Sequence, residues 1–261
     1  MDEINILITG GNGYIAKSLY ESLNKQYNVT KISRNDFDLT DYLATFKWFS
    51  DKKFDVVIHT AIVGGSRLQP DSADAVNQNL KMLFNLQQNK HTFTKLITFG
   101  SGAEIFQPNT QYGLSKRAIT EIVNNTENWY NLRIFGVFDH NELDTRFIKS
   151  SINRYIRKKP MIIHSDKIMD FFYMQDLAML VDHYITNDTL PKFVNCSYKT
   201  KLTLRNIADY INTLDIHQVS VILENVDELQ FYCGNPCPVD LNYHGIHTGI
   251  INTFRYLNVN T

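Results

Sequence analysis

Across 261 residues, 26 Lys and Arg stand against 27 Asp and Glu, a net charge of -1, so no bulk field exists to hold nucleic acid or an anionic membrane. No apolar run reaches the roughly eighteen residues of a transmembrane helix, and three cysteines, Cys196, Cys233 and Cys237, without histidines at ligand spacing, make neither a disulfide framework nor a metal centre. The length suits one large α/β domain or a domain with a smaller lobe, and Met1-Asp2-Glu3 lacks the basic start of a signal peptide, so a reducing cytoplasm is the expected compartment.

Residues 4–8 form a short β-branched apolar run, the pattern of a parallel strand covered on both faces. Gly10, Gly13 and Ala16 stand three apart after it, and residues 14–23 carry a helical apolar period. Strand, glycine turn and helix N-terminus in that order bring backbone N–H groups up to a diphosphate. Gly10, Asn12, Gly13, Tyr14 and Ile15 are therefore candidate cofactor contacts. A second strand, residues 27–33, ends in Ser33-Arg34-Asn35, where a dinucleotide fold tests the adenosine ribose. A carboxylate there suits NAD; Arg34 suits the 2′-phosphate of NADP.

Residues 38–41 read as a short strand and helix cap, with Asp38 counted among the cofactor contacts, and a helix follows through Trp48-Phe49. Residues 55–61 are the next buried strand, whose small end at Ala61 lets the backbone pass close to the cofactor. Gly64-Gly65 opens a loop, residues 72–88 are a helix carrying Asn79, and the strand 95–99 gives way to Gly100-Ser101-Gly102-Ala103-Glu104. Residues 129–135 resume the sheet. Beyond Asp139 come helices near 144–157, 204–214 and 246–257, a helix ending at 185, and short strands at 161–164, 193–196 and 219–223. The alternation implies right-handed parallel crossovers. The expected fold is α/β, a Rossmann-like doubly wound parallel sheet with a small C-terminal α/β substrate lobe. Residues 1–140 form the dinucleotide-binding core and 141–261 mainly the lobe, with some segments returning to the core.

Tyr112-Gly-Leu-Ser-Lys116 carries the chemistry. Residues four apart share a helix face, so the lysine ammonium sits near the phenol. A phenol with a pKa of about 10 is a poor acid-base catalyst at neutral pH, and a neighbouring cation moves it toward the working range. Tyr112 then exchanges a proton with a carbonyl or hydroxyl oxygen while a hydride moves between that carbon and nicotinamide. Ser101, at a strand end, is the candidate for a hydrogen bond to the same oxygen; its other reading is a turn residue satisfying local backbone.

These residues, with Ile58-His-Thr-Ala61, Asn79 in its helix, Leu132-Arg133, the run Asp170-Phe-Phe-Tyr-Met-Gln-Asp176 and Leu202-Thr-Leu-Arg-Asn-Ile-Ala208, resemble the extended short-chain dehydrogenase/reductases. Within them the chain is similar to the nucleotide-sugar epimerase and reductase group, the GDP-fucose synthases and dTDP-4-dehydrorhamnose reductases. The resemblance implies that Asn79 is a cofactor contact and that Lys116 also holds the nicotinamide ribose. It implies too that the lobe after Asp139 grips a nucleotide diphosphate sugar and that the chain forms a homodimer.

Departures from the family pattern bear on the reaction. Ala16 replaces a third glycine, and the serine motif fits only with a one-residue shift from Gly102 to Ser101. Glu104 falls where GDP-fucose synthases have an epimerising cysteine and 4,6-dehydratases a glutamate base, so it is a candidate base; its alternative is a solvated loop carboxylate. Ala103 replaces the dehydratase aspartate. His140 is early for the epimerase histidine, whose slot Arg146 occupies, and Met169 replaces an arginine, leaving Arg146, Lys149 and Arg205 as substitutes or plain surface charges. The expected function is an NADPH-dependent reductase of a nucleotide-linked 4-keto-6-deoxy sugar, with adjacent epimerisation left open. The alternatives are an NAD-retaining 4-epimerase or 4,6-dehydratase, and a non-catalytic dinucleotide-binding subunit.

Overall fold

A computed structural model describes residues 3–66 and 69–259. Met1 and Asp2, read above for a leader, lie outside the described residues. The chain divides into two compact units, Met1–Arg133 with Leu180–Val194, and Ile134–Met179 with Asn195–Thr261.

The first unit is built on β1 (Asn5–Thr9), α1 (Tyr14–Leu23), β2 (Asn28–Ile32), α2 (Tyr42–Phe49), β3 (Phe54–His59), α3 (Ala75–Gln88), β4 (Phe93–Ser101), α4 (Ala103–Phe106), α5 (Gln111–Asn124) and β5 (Trp129–Ile134). Ile6, Leu7, Ile8, Val57 and Ile58 are buried to within 0% of exposure, as strands covered on both faces must be. β1 pairs in parallel with β2 on one side and β3 on the other, and β3 pairs in parallel with β4. The six-stranded order is β2-β1-β3-β4-β5 followed by the late strand Phe193–Cys196, so the winding reverses between β1 and β3. In open α/β sheets the crevice at that reversal, beyond the carboxyl ends of the strands, is where ligands bind. Leu39, Phe49, Leu83, Leu86 and Val123 fill the core beneath one face.

The second unit contains β6 (Val137–Phe138), α6 (Phe147–Ile156), β7 (Met161–Met169), β8 (Phe172–Tyr173), the start of α7 (Met174–Thr186), the end of β9 (Phe193–Cys196), α8 (Leu204–Ile211), β10 (Val221–Tyr232) and α9 (Gly245–Val259). Its own core gathers Phe138, Ile152, Tyr155, Ile163, Ile207 and Ile250. The helix α8 starts at a capping box, with the Thr203 hydroxyl accepting from Asn206 N–H and the Asn206 side chain accepting from Thr203 N–H. Asp170 anchors a junction here: its carboxylate accepts from the Ser197 hydroxyl, Gly234 N–H and the Lys201 ammonium.

Two local expectations are corrected. Residues 38–41 make no strand: the Asp38 carboxylate accepts from both Thr40 N–H and the Thr40 hydroxyl, closing a turn, while Asp41 caps α2 through Ala44 N–H. The strand expected at 219–223 runs instead to Tyr232, because pairing with β7 continues past an irregularity between Asn225 and Gln230. Its extension is exposed and acidic and carries no apolar alternation for a sequence reading to find.

Candidate active site

The turn after β1 explains its own glycines. Gly10 sits at φ +70, and a Cβ there would lie 2.7 Å from Ala61 N and 2.8 Å from Ala61 Cα, so a side chain is excluded by both conformation and space. Gly13 caps α1 with extended backbone and no side chain, and no acidic residue stands in the first turn. Gly13 thus offers the first turn no capping side chain and no carboxylate stands there, which suits the positive end of the helix to an anion. Ala16 is fully buried: its methyl group packs into the space a third glycine would have left.

A cavity of about 330 Å³ opens over this turn, lined by Gly10, Asn12, Gly13, Arg34, Asp38 and Ala61, six of the residues expected to hold a cofactor. Phe37, Ile62 and Met82 add apolar walls that sequence reasoning missed; Phe37 directly before Asp38 was the one available signal. The Asp38 carboxyl is held below the usual range by Thr40 N–H and the Thr40 hydroxyl, against a smaller burial effect, with the Arg34 guanidinium adding to the lowering. A sterically sealed glycine turn, an uncapped helix N-terminus and an arginine at the end of β2 fit an anionic dinucleotide.

Asn79 differs from expectation. It is fully buried outside the cavity lining, and its amide is engaged: Oδ1 accepts from Val63 N–H at 2.8 Å, while Nδ2 donates to Val63 O at 2.9 Å and to the Ser115 hydroxyl at 3.0 Å. It ties the loop after β3 to α3 and α5.

Below the turn lies a buried polar layer. His59 Nδ1 meets the Thr9 hydroxyl at 2.8 Å, and burial, with the Lys116 charge second, drives its pKa down to about 3, so the ring is neutral. Lys116 is 8% exposed; its ammonium donates to Phe99 O at 2.7 Å and lies 5.7 Å from the centroid of the Tyr112 ring. Burial lowers its pKa to about 8 while the Glu104 charge pulls the other way. Tyr112 and Lys116 therefore share one face of α5, as their spacing requires, and the lysine ties that helix to the end of β4.

Ser101 ends β4. Its Oγ accepts from Ala103 N–H at 3.2 Å, so the local-turn role is real, yet the hydroxyl acts there as an acceptor and keeps its hydrogen to donate. Glu104 is the main correction. It is 5% exposed, not solvated: Oε1 accepts from Ser101 N–H at 2.7 Å, and Oε2 accepts from Arg133 Nη2 at 2.7 Å, Arg133 Nε at 3.2 Å and the Thr120 hydroxyl at 2.9 Å. A carboxylate engaged on both oxygens, and ion-paired, is ill suited to the base role expected of it.

One residue was missed altogether. Asp71 Oδ2 accepts from Tyr112 N–H at 2.9 Å and Oδ1 from Gly65 N–H at 2.8 Å, so a single carboxylate joins the glycine loop to the first turn of α5. Gly65, at φ +74, lies against the phenol: a Cβ there would stand 2.8 Å from Cζ and Cε2 of Tyr112. The Thr110 hydroxyl takes the next N–H, that of Gly113. No periodicity or motif marks Asp71, which stands four residues before α3.

In the second unit the secondary candidates are occupied. His140 stacks on Tyr256 with centroids 3.7 Å apart, Lys149 pairs with Asp144, and Arg205 pairs with Asp209. Arg146 stands at the N-cap position of α6.

Residues 6–197 match the NAD dependent epimerase/dehydratase family. The chain belongs to that family. Solved structures share its fold: the GDP-mannoheptose C4 reductase MlghC from Campylobacter jejuni with NADP bound (TM-score 0.76, 18% identity, 98% of this chain and 99% of that one); a GDP-L-fucose synthetase from Naegleria fowleri (0.79, 15%, 98% and 93%); and dTDP-4-dehydrorhamnose reductase from Bacillus anthracis in complex with NADP (0.77, 15%, 98% and 99%). No curated protein sequence matches the chain. The expected α/β fold agrees with these solved structures, and the matched family model agrees with the resemblance to the nucleotide-sugar epimerase group. Among the described residues no helix is long and apolar enough to cross a membrane, and no cluster of metal-ligating side chains occurs.

Proposed function

We propose that the protein is an NADPH-dependent reductase of a nucleotide-linked 4-keto-6-deoxy sugar. The observation that carries the reading is the buried Lys116 ammonium 5.7 Å from the Tyr112 ring, both on a helix whose N-terminus is held by Thr110 and Asp71. Gly10, Asn12, Gly13 and the first-turn N–H groups of α1 would hold the cofactor diphosphate, and Arg34 the 2′-phosphate. NADP(H), when bound, supplies a hydride. Tyr112 gives its proton to the sugar oxygen as that oxygen becomes an alkoxide, Ser101 donates a hydrogen bond to the same oxygen, and Lys116 stabilises the phenolate left behind. The neighbours of like fold, a GDP-mannoheptose C4 reductase and a dTDP-4-dehydrorhamnose reductase, support the reaction class.

The 4,6-dehydratase reading loses ground on two observations: Ala103 offers no acid, and Glu104 is engaged by Arg133, Thr120 and Ser101. Arg34, placed for a 2′-phosphate, counts against an NAD-retaining 4-epimerase. A non-catalytic binding subunit would have no use for a buried lysine placed beside a tyrosine. The test is consumption of NADPH with a panel of nucleotide 4-keto-6-deoxy sugars, with product analysis at carbon 4. Turnover that leaves the cofactor unchanged overall, with isomerised or dehydrated sugar, would replace the reductase reading.

A further inference from the structure

We propose that Glu104, clamped by Arg133, is the positioning residue of this site: its carboxylate fixes the Ser101 backbone and supplies the buried negative charge that supports the Lys116 ammonium. The inference rests on the reductase reading for the roles of Ser101 and Lys116, and departs from it in giving Glu104 no part in proton abstraction from the sugar.

Geometry carries it. Glu104 follows Ser101 by three residues on the short α4, and its Oε1 reaches back to Ser101 N–H at 2.7 Å. The approach is so close that a Cβ at Gly100 would stand 2.6 Å from Oε1, so the strand end has no side chain where the carboxylate lies. Oε2 is held from the other side by Arg133, whose guanidinium stacks at 4.1 Å over the Phe193 ring, and by the Thr120 hydroxyl. Thr120 Oγ1 in turn accepts from Asn131 Nδ2 at 2.7 Å, and Asn131 Oδ1 accepts from the Thr98 hydroxyl at 3.2 Å. The chain of contacts locks the end of β4, and with it the Ser101 hydroxyl, to α5 and β5.

The same carboxylate has an electrostatic consequence. Lys116 donates to Phe99 O, two residues before Ser101, and is faced by His59 on β3, by Glu104 on α4, by Tyr112 on its own helix, and by Arg133 on β5 through Glu104. Of these His59 is neutral, and Glu104 is the group that raises the lysine's proton affinity against burial. A base would need an oxygen open to the sugar; a positioning group needs both oxygens engaged, and both are.

The test reads Lys116 itself. Full-length protein labelled with [ε-13C]lysine is titrated by NMR, the Lys116 signal being assigned by its loss in Lys116→Met. Glu104→Gln keeps an acceptor for Ser101 N–H and removes the charge, and Glu104→Gln with Arg133→Met removes both charges should the single variant fold poorly. The expected result is a fall of about one pH unit in the Lys116 midpoint in Glu104→Gln, with the alkaline limb of the NADPH-oxidation profile moving down by the same amount, and a smaller fall in the double variant, which also removes the Arg133 cation. An unmoved midpoint in both variants overturns the proposal. Solvent deuterium entering the wild-type product beside the former carbonyl, and lost in Glu104→Gln, overturns it in favour of a base. The NMR titration needs no substrate, so a sugar panel without turnover sinks the reductase reading and leaves this result standing.

Discussion

Replacing Asp71 by alanine removes a side chain that holds both the Gly65 loop and the Tyr112 turn. Two hydrogen bonds to a carboxylate are lost, at 2.8 and 2.9 Å. Each such bond contributes about 1.5–3 kcal/mol when its donor stays dry. Asp71 is only half-buried, so both N–H groups regain water, and the net loss of stability comes to about 2 kcal/mol. In a urea titration that is a midpoint shift of about 1 M at an ordinary slope. The catalytic effect is separate: a phenol no longer pressed by the loop loses orientation, and a loss of about 1.4 kcal/mol in the transition state is tenfold in rate. Asp71→Ala should therefore lower kcat about tenfold under conditions where it is fully folded, with the KM for NADPH little changed, and Asp71→Asn, which keeps one acceptor, should recover part of the loss. A variant with the lowered urea midpoint and an unchanged kcat would refute the positioning argument and leave Asp71 a plain helix cap.

Gly65→Ala places a Cβ 2.8 Å from the phenol at a backbone φ of +74, so kcat should fall by an order of magnitude or more while the circular dichroism spectrum holds; wild-type kcat would mean the loop leaves Tyr112 during turnover. Arg34→Ala should raise the KM for NADPH roughly tenfold and leave that for NADH nearly unchanged, because one charge-assisted contact to a phosphate is removed; an equal change for both cofactors would place Arg34 outside the 2′-phosphate site. His59 has a folded pKa of about 3, below its unfolded value of about 6.5, so between those values the unfolded state binds the extra proton and stability falls as pH falls. The slope approaches about 1.4 kcal/mol per pH unit, visible in urea midpoints from pH 6.5 to 4.5, and His59→Gln should flatten it.

The first unit was readable because both its structure and its chemistry leave short-range marks. Buried parallel strands are unbroken β-branched runs, the glycine turn follows one of them, and Tyr112 and Lys116 stand one helical turn apart. What escaped is what depends on groups distant in sequence. Glu104 read as either a base or a solvated loop carboxylate because nothing near it announces Arg133, twenty-nine positions on. The Asn79 amide is bonded to Val63 and Ser115, sixteen and thirty-six positions away, which no local pattern announces. Asp71 drew no notice, since its partners Gly65 and Tyr112 are brought to it by the fold. The extension of β10 failed for a different reason: an exposed strand held by backbone pairing needs no apolar alternation. The domain assignment of residues 141–261 as a substrate lobe, and the homodimer, remain proposals beside the sugar itself.

The measurement that bears most directly on the central claim is stopped-flow oxidation of NADPH by wild type and Tyr112→Phe, with a nucleotide 4-keto-6-deoxy sugar at saturation. The phenylalanine keeps the ring against Gly65 and removes only the proton donor. The account predicts NADPH oxidation by wild type with the sugar reduced at carbon 4, and a drop of about a hundredfold or more in the variant, with NADPH binding unchanged. Absence of oxidation with every sugar, or a variant as fast as wild type, would contradict it.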